Sequence, residues 1–333
     1  MNSPNVICLG EALVDRLGPL GGGLETLNSH HDYLGGAPAN VACGLAKLGF
    51  NVGFIGCVGD DSIGTQFQDL FISCGVNISA LQIHETLLTR VVLVKRDSNG
   101  ERSFGGFKGN KKNMFADQAL NLKNLQSKWP ALSINANWLV MGTILLAGDN
   151  SREVVEWIID QSVQQGIQIA IDLNWRPTFW DQTLSPESGP SNQFSSLIEP
   201  FLARASLIKL AKEEAIWFFN NDDPVFISGS LPQRPSVIIT DGANPICWKI
   251  GSYHGTTEPL APSLVVDTTG AGDAFMAGML SQVLINSLNP ITNNLAEQMV
   301  KFSAACGALV CKGSGAIDPQ PHYPEVEKFL SLG

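Results

Sequence analysis

A chain of 333 residues with 44% hydrophobic content can bury a large core, as one big α/β domain or as two domains. Its formal net charge of −10, without any run rich in Lys and Arg, argues against nucleic acid or an anionic membrane as a partner. Seven cysteines without a CxxC pair argue against a disulfide framework or a zinc site and fit a reducing compartment.

In chain order, "MNSPNVICLGEALVD" has no basic region before an apolar stretch, so it reads as a first strand, "VICLG" from Val6, and not as a signal peptide. "YLGGAPANVACGLAKLG", Tyr33 to Gly49, reads as a glycine turn and a helix that stops at Gly49. Gly35 and Gly36 permit close backbone approach, and the Asn40 amide in the first turn can give and accept hydrogen bonds to a polyhydroxy ligand. The plain alternative is a glycine turn with a solvated Asn. "VGFIGCVG" from Val52 is a second apolar strand. "TRVVLVKRDSNGERSF", Thr89 to Phe104, reads as strand, Asn-Gly turn, strand: either a lid or an edge hairpin of the main sheet.

"WLVMG" from Trp138 is the next strand. "NSREVVEWIIDQSVQQG" reads as a helix opened by Asn150, with Glu153 three residues on, and closed by Gly166. "IQIAIDLN" from Ile167, "SLIKLA" from Ser206 and "SVIITDG" from Ser236 continue the strands, and the polar "DQTLSPESGPSNQFSS", Asp181 to Ser196, is a surface loop. Continuous apolar strands alternating with helices predict a doubly wound, mostly parallel α/β sheet with helices on both faces. No apolar run approaches the ~20 residues of a membrane span, and a soluble cytoplasmic protein is expected.

"VVDTTGAGDAFMAGML", residues 265–280, puts glycines and one carboxylate at the mouth of an apolar helix. The N–H groups of Gly270, Ala271 and Gly272 would be the orphan donors of a first turn, a ready anion site, and Asp273 could take a proton from a hydroxyl beside the phosphate. A capped helix packing through Ala274, Ala277 and Gly278 is the plain alternative. A Walker loop is absent, and the near match to G-x-G-x-x-G fails at Phe275, with no acidic residue about twenty positions on for a ribose, so a dinucleotide enzyme is a weak second reading. The histidines, His30, His31, His84, His254 and His322, show no metal-ligand spacing.

Gly35-Gly36, Asn40, Ala42, Gly49 and Gly59 follow the spacing of the first signature of the ribokinase-like (PfkB) carbohydrate kinases, and "DTTGAGDAFMAGML" matches the second. "DLNWRPTFW" from Asp172, "GERSF" from Gly100 and "KGSGAIDPQPHYPEVEKFL" resemble the fructokinase branch, and the similarity runs from Ile7 to about Leu330. The resemblance implies a ribokinase-like kinase domain over 1–333 with a small β-lid formed by segments around 12–34 and 86–110. It implies ATP, Mg2+ and K+ as cofactors, and a sugar, with fructose phosphorylated at its 6-hydroxyl. It makes Asp273 the base, residues 270–272 the anion hole, and Asp15, Gly35, Gly36, Asn40, Phe104 and Asn174 the sugar site. Arg176 would meet the phosphate or a substrate oxygen. Lys209 and Thr240, Asp241, Gly242 and Ala243 would hold the nucleotide, and Glu214 would organise magnesium through water. Asp267 and Thr269, with carbonyls near Gly313 and Gly315, would bind the monovalent cation. The expected partners are the sugar, ATP and a second copy as a homodimer.

Taken singly, Asp15 reads as a solvated turn residue, Arg176 as a surface ion pair and Glu214 as a helix-surface charge. Three departures bear on the resemblance. Ala211 stands where the family's Asn-x-x-Glu has Asn; "TDGANP" replaces the commoner Thr-Leu-Gly; and "FKGNKKNMF", with Lys108, Lys111 and Lys112, would also tolerate a carboxylated sugar such as 2-keto-3-deoxygluconate. A non-catalytic sugar-binding relative would keep Asp15 and Asn40 and have no need of Asp273.

Overall fold

The computed structural model describes residues 3–21, 30–97, 102–109, 114–286, 288 and 291–331. The strands are β1 (Val6–Leu9), β2 (Leu13–Leu20), β3 (His31–Gly35), β4 (Val52–Gly59), β5 (Leu81–His84), β6 (Val91–Arg96), β7 (Arg102–Phe107), β8 (Trp138–Met141), β9 (Gln168–Asp172), β10 (Leu207–Ala211), β11 (Ser236–Asp241), β12 (Asn244–Ile250) and β13 (Tyr253–Thr257). The helices are α1 (Ala37–Lys47), α2 (Ser62–Cys74), α3 (Leu122–Ser133), α4 (Asp149–Gln164), α5 (Pro177–Trp180), α6 (Asn192–Leu202), α7 (Lys212–Phe219), α8 (Pro224–Ser230), α9 (Ala271–Asn286), α10 (Asn293–Val310) and α11 (Tyr323–Ser331).

Nine strands form the main sheet in the order β13-β12-β11-β10-β9-β8-β1-β4-β5. Every pairing from β5 to β11 is parallel, and β12 and β13 are added antiparallel at one edge. The doubly wound α/β expectation is borne out, and its cause is visible in the alternation of side chains. In β1, Val6 and Cys8 pack into one core and Ile7 and Leu9 into the other; in β11, Ile238 joins the first and Val237 and Ile239 the second. A strand covered on both faces has no polar face to show, hence its continuous apolar run. One core is roofed by α1, α9 and α10, the other by α3, α4 and α6. Helix α9 lies between α1 and α10 and is buried along Ala274–Val283, so its apolar character runs all round.

Residues 89–104 are not an edge hairpin of the main sheet. β6 and β7 pair antiparallel inside a separate four-stranded sheet ordered β3-β2-β6-β7; the Asn-Gly turn lies outside the described residues. Two boundaries also differ. α4 starts at Asp149, one residue before Asn150, and its N-cap is Gly148 with no side-chain cap; the Ser151 hydroxyl bonds the Leu145 carbonyl at 2.5 Å instead. The polar stretch to Ser196 is a loop only as far as Ser191, whose hydroxyl caps α6 by accepting the Phe194 N–H. Among the described residues no helix is long and apolar enough to cross a membrane.

The small sheet is tied to the main body by a buried guanidinium. Arg90, just before β6, makes a two-pronged ion pair with Asp117 (2.7 and 2.8 Å). Its Cζ stands 4.6–5.0 Å from the ring centroids of Phe107 on β7, Phe115, and Phe179 on α5.

Candidate active site

In an open parallel sheet the crevice lies beyond the carboxyl ends of the strands. Here Asp172, Ala211 and Thr240 stand at or beside those ends, and the small sheet covers them. Between the two lies a cavity of about 730 Å³. Leu13, Asp15 and Leu17 of β2 line it, as do Val92 and Val94 of β6, so one pleated face of the small sheet forms its roof. Phe104, Asn174, Arg176, Phe179 and the first turn of α9 complete the wall.

The floor is set by α9. Gly270 has φ +80°, and a Cβ there would stand 2.6 Å from Ala316 Cβ, so only glycine fits this entry. The Ala271 N–H turns back to the Thr268 carbonyl at 3.2 Å, which takes it out of the expected set of donors. Among the described residues the N–H groups of Gly270, Gly272 and Asp273 have no acceptor, and all three residues line the cavity, an arrangement suited to an anion. Asp273, in that first turn, is half-buried and accepts the Asn40 Nδ2 hydrogen at 2.7 Å. Burial and the nearby Asp172 carboxylate push it up to about 6, against the pull of Asn40, Lys209 and Arg176.

Asn40 is buried, not solvated, and its Oδ1 has no partner among the described residues. A Cβ placed on Gly35 would lie 3.7 Å from both Asp15 Oδ2 and Asn40 Oδ1, so these groups converge over a bare stretch of backbone. Gly36 follows with φ +101°, at a point where a Cβ would meet the Glu11 carbonyl at 2.6 Å. Asp15 is a strand residue on β2 facing the cavity, and no turn residue.

Lys209 and Asp172 are direct neighbours across β10 and β9, and their buried side chains pair at 2.8 Å. Burial alone would lower the Lys209 ammonium; the carboxylates of Asp172, Asp273 and Glu214 together outweigh it and hold it above its usual value. Its Nζ would stand 3.2 Å from a Cβ on Gly272, which puts a fixed cation beneath the helix end. Glu214 is buried, not a surface charge; it accepts the Trp175 N–H at 2.6 Å and the Ala211 N–H at 2.7 Å. That clamps the segment bearing Asn174, which has φ +41°, and Arg176. Arg176 donates to the Trp175 carbonyl at 3.0 Å and reaches the cavity; none of the described ion pairs includes it.

A second cavity of about 540 Å³ is mostly apolar, walled by Pro259, Leu260, Pro262, Val265 and Phe275. Thr240, Thr268, Ala271 and Gly272 line both cavities, which therefore meet at the start of α9. Gly242 and Ala243 line the second; Asp241 lines neither and faces Lys212 at 3.4 Å. Asp267 accepts from Thr269 (2.7 and 3.0 Å) and from the Gly315 N–H at 3.1 Å, which brings the Gly313–Gly315 turn alongside. The described residues hold no cluster of three or more His, Cys, Asp or Glu suited to a metal.

The family model described as pfkB family carbohydrate kinase matches residues 3–323. The chain belongs to the pfkB family of carbohydrate kinases. A fructokinase of Salmonella typhimurium is 28% identical to this kinase over 96% of its chain and 97% of the relative. A fructokinase of Xylella fastidiosa, solved with bound ATP, superposes with a TM-score of 0.81 at 27% identity and covers 98% of both chains. A Vibrio cholerae fructokinase, solved with fructose, ADP and calcium, superposes at 0.79 with 26% identity over 98% of each chain. Among the cavity groups of this kinase to which the sequence assigned no role are Glu11, Asp172 and Phe179. For Glu11 the available signal was an acid placed directly after an apolar strand, in "VICLGE".

Proposed function

We propose that this kinase transfers the γ-phosphoryl group of ATP to the 6-hydroxyl of D-fructose, giving fructose 6-phosphate and ADP. The observation that carries this reading is the position of Asp273, on an anion-binding helix end where two cavities meet. The sugar takes the larger cavity, against Asp15, Asn40 and Phe104; the base and ribose take the apolar one, beside Gly242 and Ala243. The fructokinase relatives supply the choice of sugar.

With a value of about 6, Asp273 is mostly ionised at neutral pH. It accepts the hydroxyl proton as that oxygen attacks phosphorus in line and the bond to the departing ADP oxygen breaks. Negative charge on the moving group faces the Gly270 and Gly272 N–H groups, Arg176 and the Lys209 ammonium. The small sheet acts as a lid that keeps water, a competing acceptor, away.

The donor set suits magnesium held mainly by nucleotide phosphates and water. Each Glu214 oxygen keeps a second lone pair for a metal-bound water, and no Asn at position 211 is needed for that contact. Bound magnesium supplies charge neutralisation on the phosphates. Asp267, Thr269 and carbonyls near Gly313 and Gly315 offer the oxygen ligands that a potassium ion takes.

A carboxylated sugar is the competing substrate. Lys108 lies outside the cavity lining, and Lys111 and Lys112 lie outside the described residues. The described lining holds two cations, Arg176 and Lys209, against the carboxylates of Asp15, Asp172, Glu214 and Asp273, which favours a neutral sugar. ADP release measured over fructose, 2-keto-3-deoxygluconate, ribose, adenosine and mannose tests this. Fructose is expected to lead by at least about tenfold in kcat/KM, roughly 1.4 kcal/mol; fructose inert beside an active rival overturns it.

A further inference from the structure

Glu11 follows β1 at the point where the chain leaves the main sheet for β2. It is 2% exposed and lines the larger cavity beside Leu13 and Asp15. Its Oε1 accepts the Ala37 N–H at 3.1 Å, at the start of α1, where the N-cap Gly36 offers no side chain. Its Oε2 has no partner among the described residues. A buried carboxyl oxygen left without a partner is costly, and a cavity wall is where such a group finds its partner in a ligand.

We propose that Glu11 is a sugar-contacting residue, whose protonated Oε2 donates a hydrogen bond to an oxygen of the bound sugar. The proposal rests on the sugar-kinase reading of this cavity. Its chemistry complements what is already there. The Asp15 carboxylate only accepts, and Asn40 spends one of its two amide hydrogens on Asp273, while its Oδ1, another acceptor, has no partner among the described residues. A sugar hydroxyl carries one donor and two acceptor lone pairs, so sugar oxygens facing this acceptor-rich part of the wall need a donor as well. Glu11 adds one there. With Oε1 occupied by an incoming N–H, the proton belongs on Oε2. Burial pushes the Glu11 carboxyl up to about 8, so that the protonated form predominates at neutral pH. The charged groups acting on it are Asp117 and Asp273, both of which raise it further; Asp117 is itself paired with Arg90.

The test uses Glu11→Gln and Glu11→Ala in the full chain, with fructose and ATP kinetics from pH 5.5 to 9.5 and a melting temperature for each. In the unmodified enzyme kcat/KM for fructose rises through about 6 as Asp273 ionises and falls through about 8 as Glu11 loses its proton. Glu11→Ala is expected to raise fructose KM roughly tenfold while the ATP KM holds. Glu11→Gln, whose amide also accepts at one atom and donates at the other, raises it less and loses the falling limb. A purely structural brace predicts otherwise: an ionised Glu11 would hold the Ala37 N–H more firmly, so no alkaline fall tied to this residue would occur. A falling limb that survives in Glu11→Gln, or an unchanged fructose KM in a folded Glu11→Ala, overturns the proposal. Fructose inert in the unmodified enzyme overturns only the substrate reading; the same measurements with the sugar that is consumed then decide Glu11 on the same terms.

Discussion

Asp273 and Asp15 are both carboxylates on the sugar cavity, yet their surroundings assign them different work. Asp273 accepts from Asn40 and faces the helix end, so Asp273→Asn keeps the Asn40 contact through its amide oxygen and loses the base. General-base catalysis is worth ~10²–10⁴ in rate, and kcat should fall by at least that order with a smaller change in KM. A purified variant turning over within a few-fold of the parent would remove Asp273 from the mechanism. Asp15 sits on the roof, away from the apolar cavity, so Asp15→Ala should weaken fructose about ten- to a hundred-fold and leave the ATP KM in place. Equal losses for both substrates would show that Asp15 acts on the fold. Asn40 and Asp273 were legible in the sequence because each follows glycines at a helix start, whereas Asp15 and Arg176, read singly as a turn residue and a surface ion pair, gained a role only through the family resemblance. The Asp172–Lys209 pair was not legible, because it depends on the register of β9 against β10, and register is decided by the assembled sheet.

Among the elements, the entry to α9 has least room for change. In Gly270→Ala the new methyl would meet both a left-handed backbone and Ala316. The first turn would have to shift, and displacement by about 1 Å of a catalytic group costs on the order of 10²-fold in rate. Steady-state kcat is therefore expected to fall by that order while the melting temperature drops modestly; a variant with full kcat would mean that the turn tolerates the shift. The Arg90–Asp117 pair is a second such element. Arg90→Met leaves Asp117 charged, buried and unpaired, a change that costs about 3–5 kcal/mol. Denaturant unfolding should show that loss, and Arg90→Met with Asp117→Asn should recover part of it; a stability unchanged in the single variant would mean that water reaches Asp117. The parallel strands β1, β4 and β8 to β11 were readable because both faces are apolar; β5, at the edge with a polar Gln82 and His84, was not. β12, β13, β2 and β3 were not either: β13 and β3 carry polar, largely exposed residues whose pairing, and no local pattern, makes them strands.

For the whole molecule, the distribution of lining residues between the two sheets has a thermodynamic consequence. The larger cavity is walled by the small sheet on one side, through Asp15, Val92 and Phe104, and by α1 and α9 on the other, through Asn40 and Asp273. The apolar cavity is walled only by residues from Thr240 onward. A molecule in the first space is therefore a rivet through two plates, whereas one in the second touches a single plate. Hydrogen exchange should register the difference. Fructose should slow exchange of backbone amides in β2 and β6, while ADP alone should leave them unchanged and slow those around Gly242 and α9. Equal protection of β2 by ADP alone would break the asymmetry. If it holds, the small sheet settles only on a site that already contains its acceptor, and ATP bound without sugar remains in a loosely roofed, unproductive state.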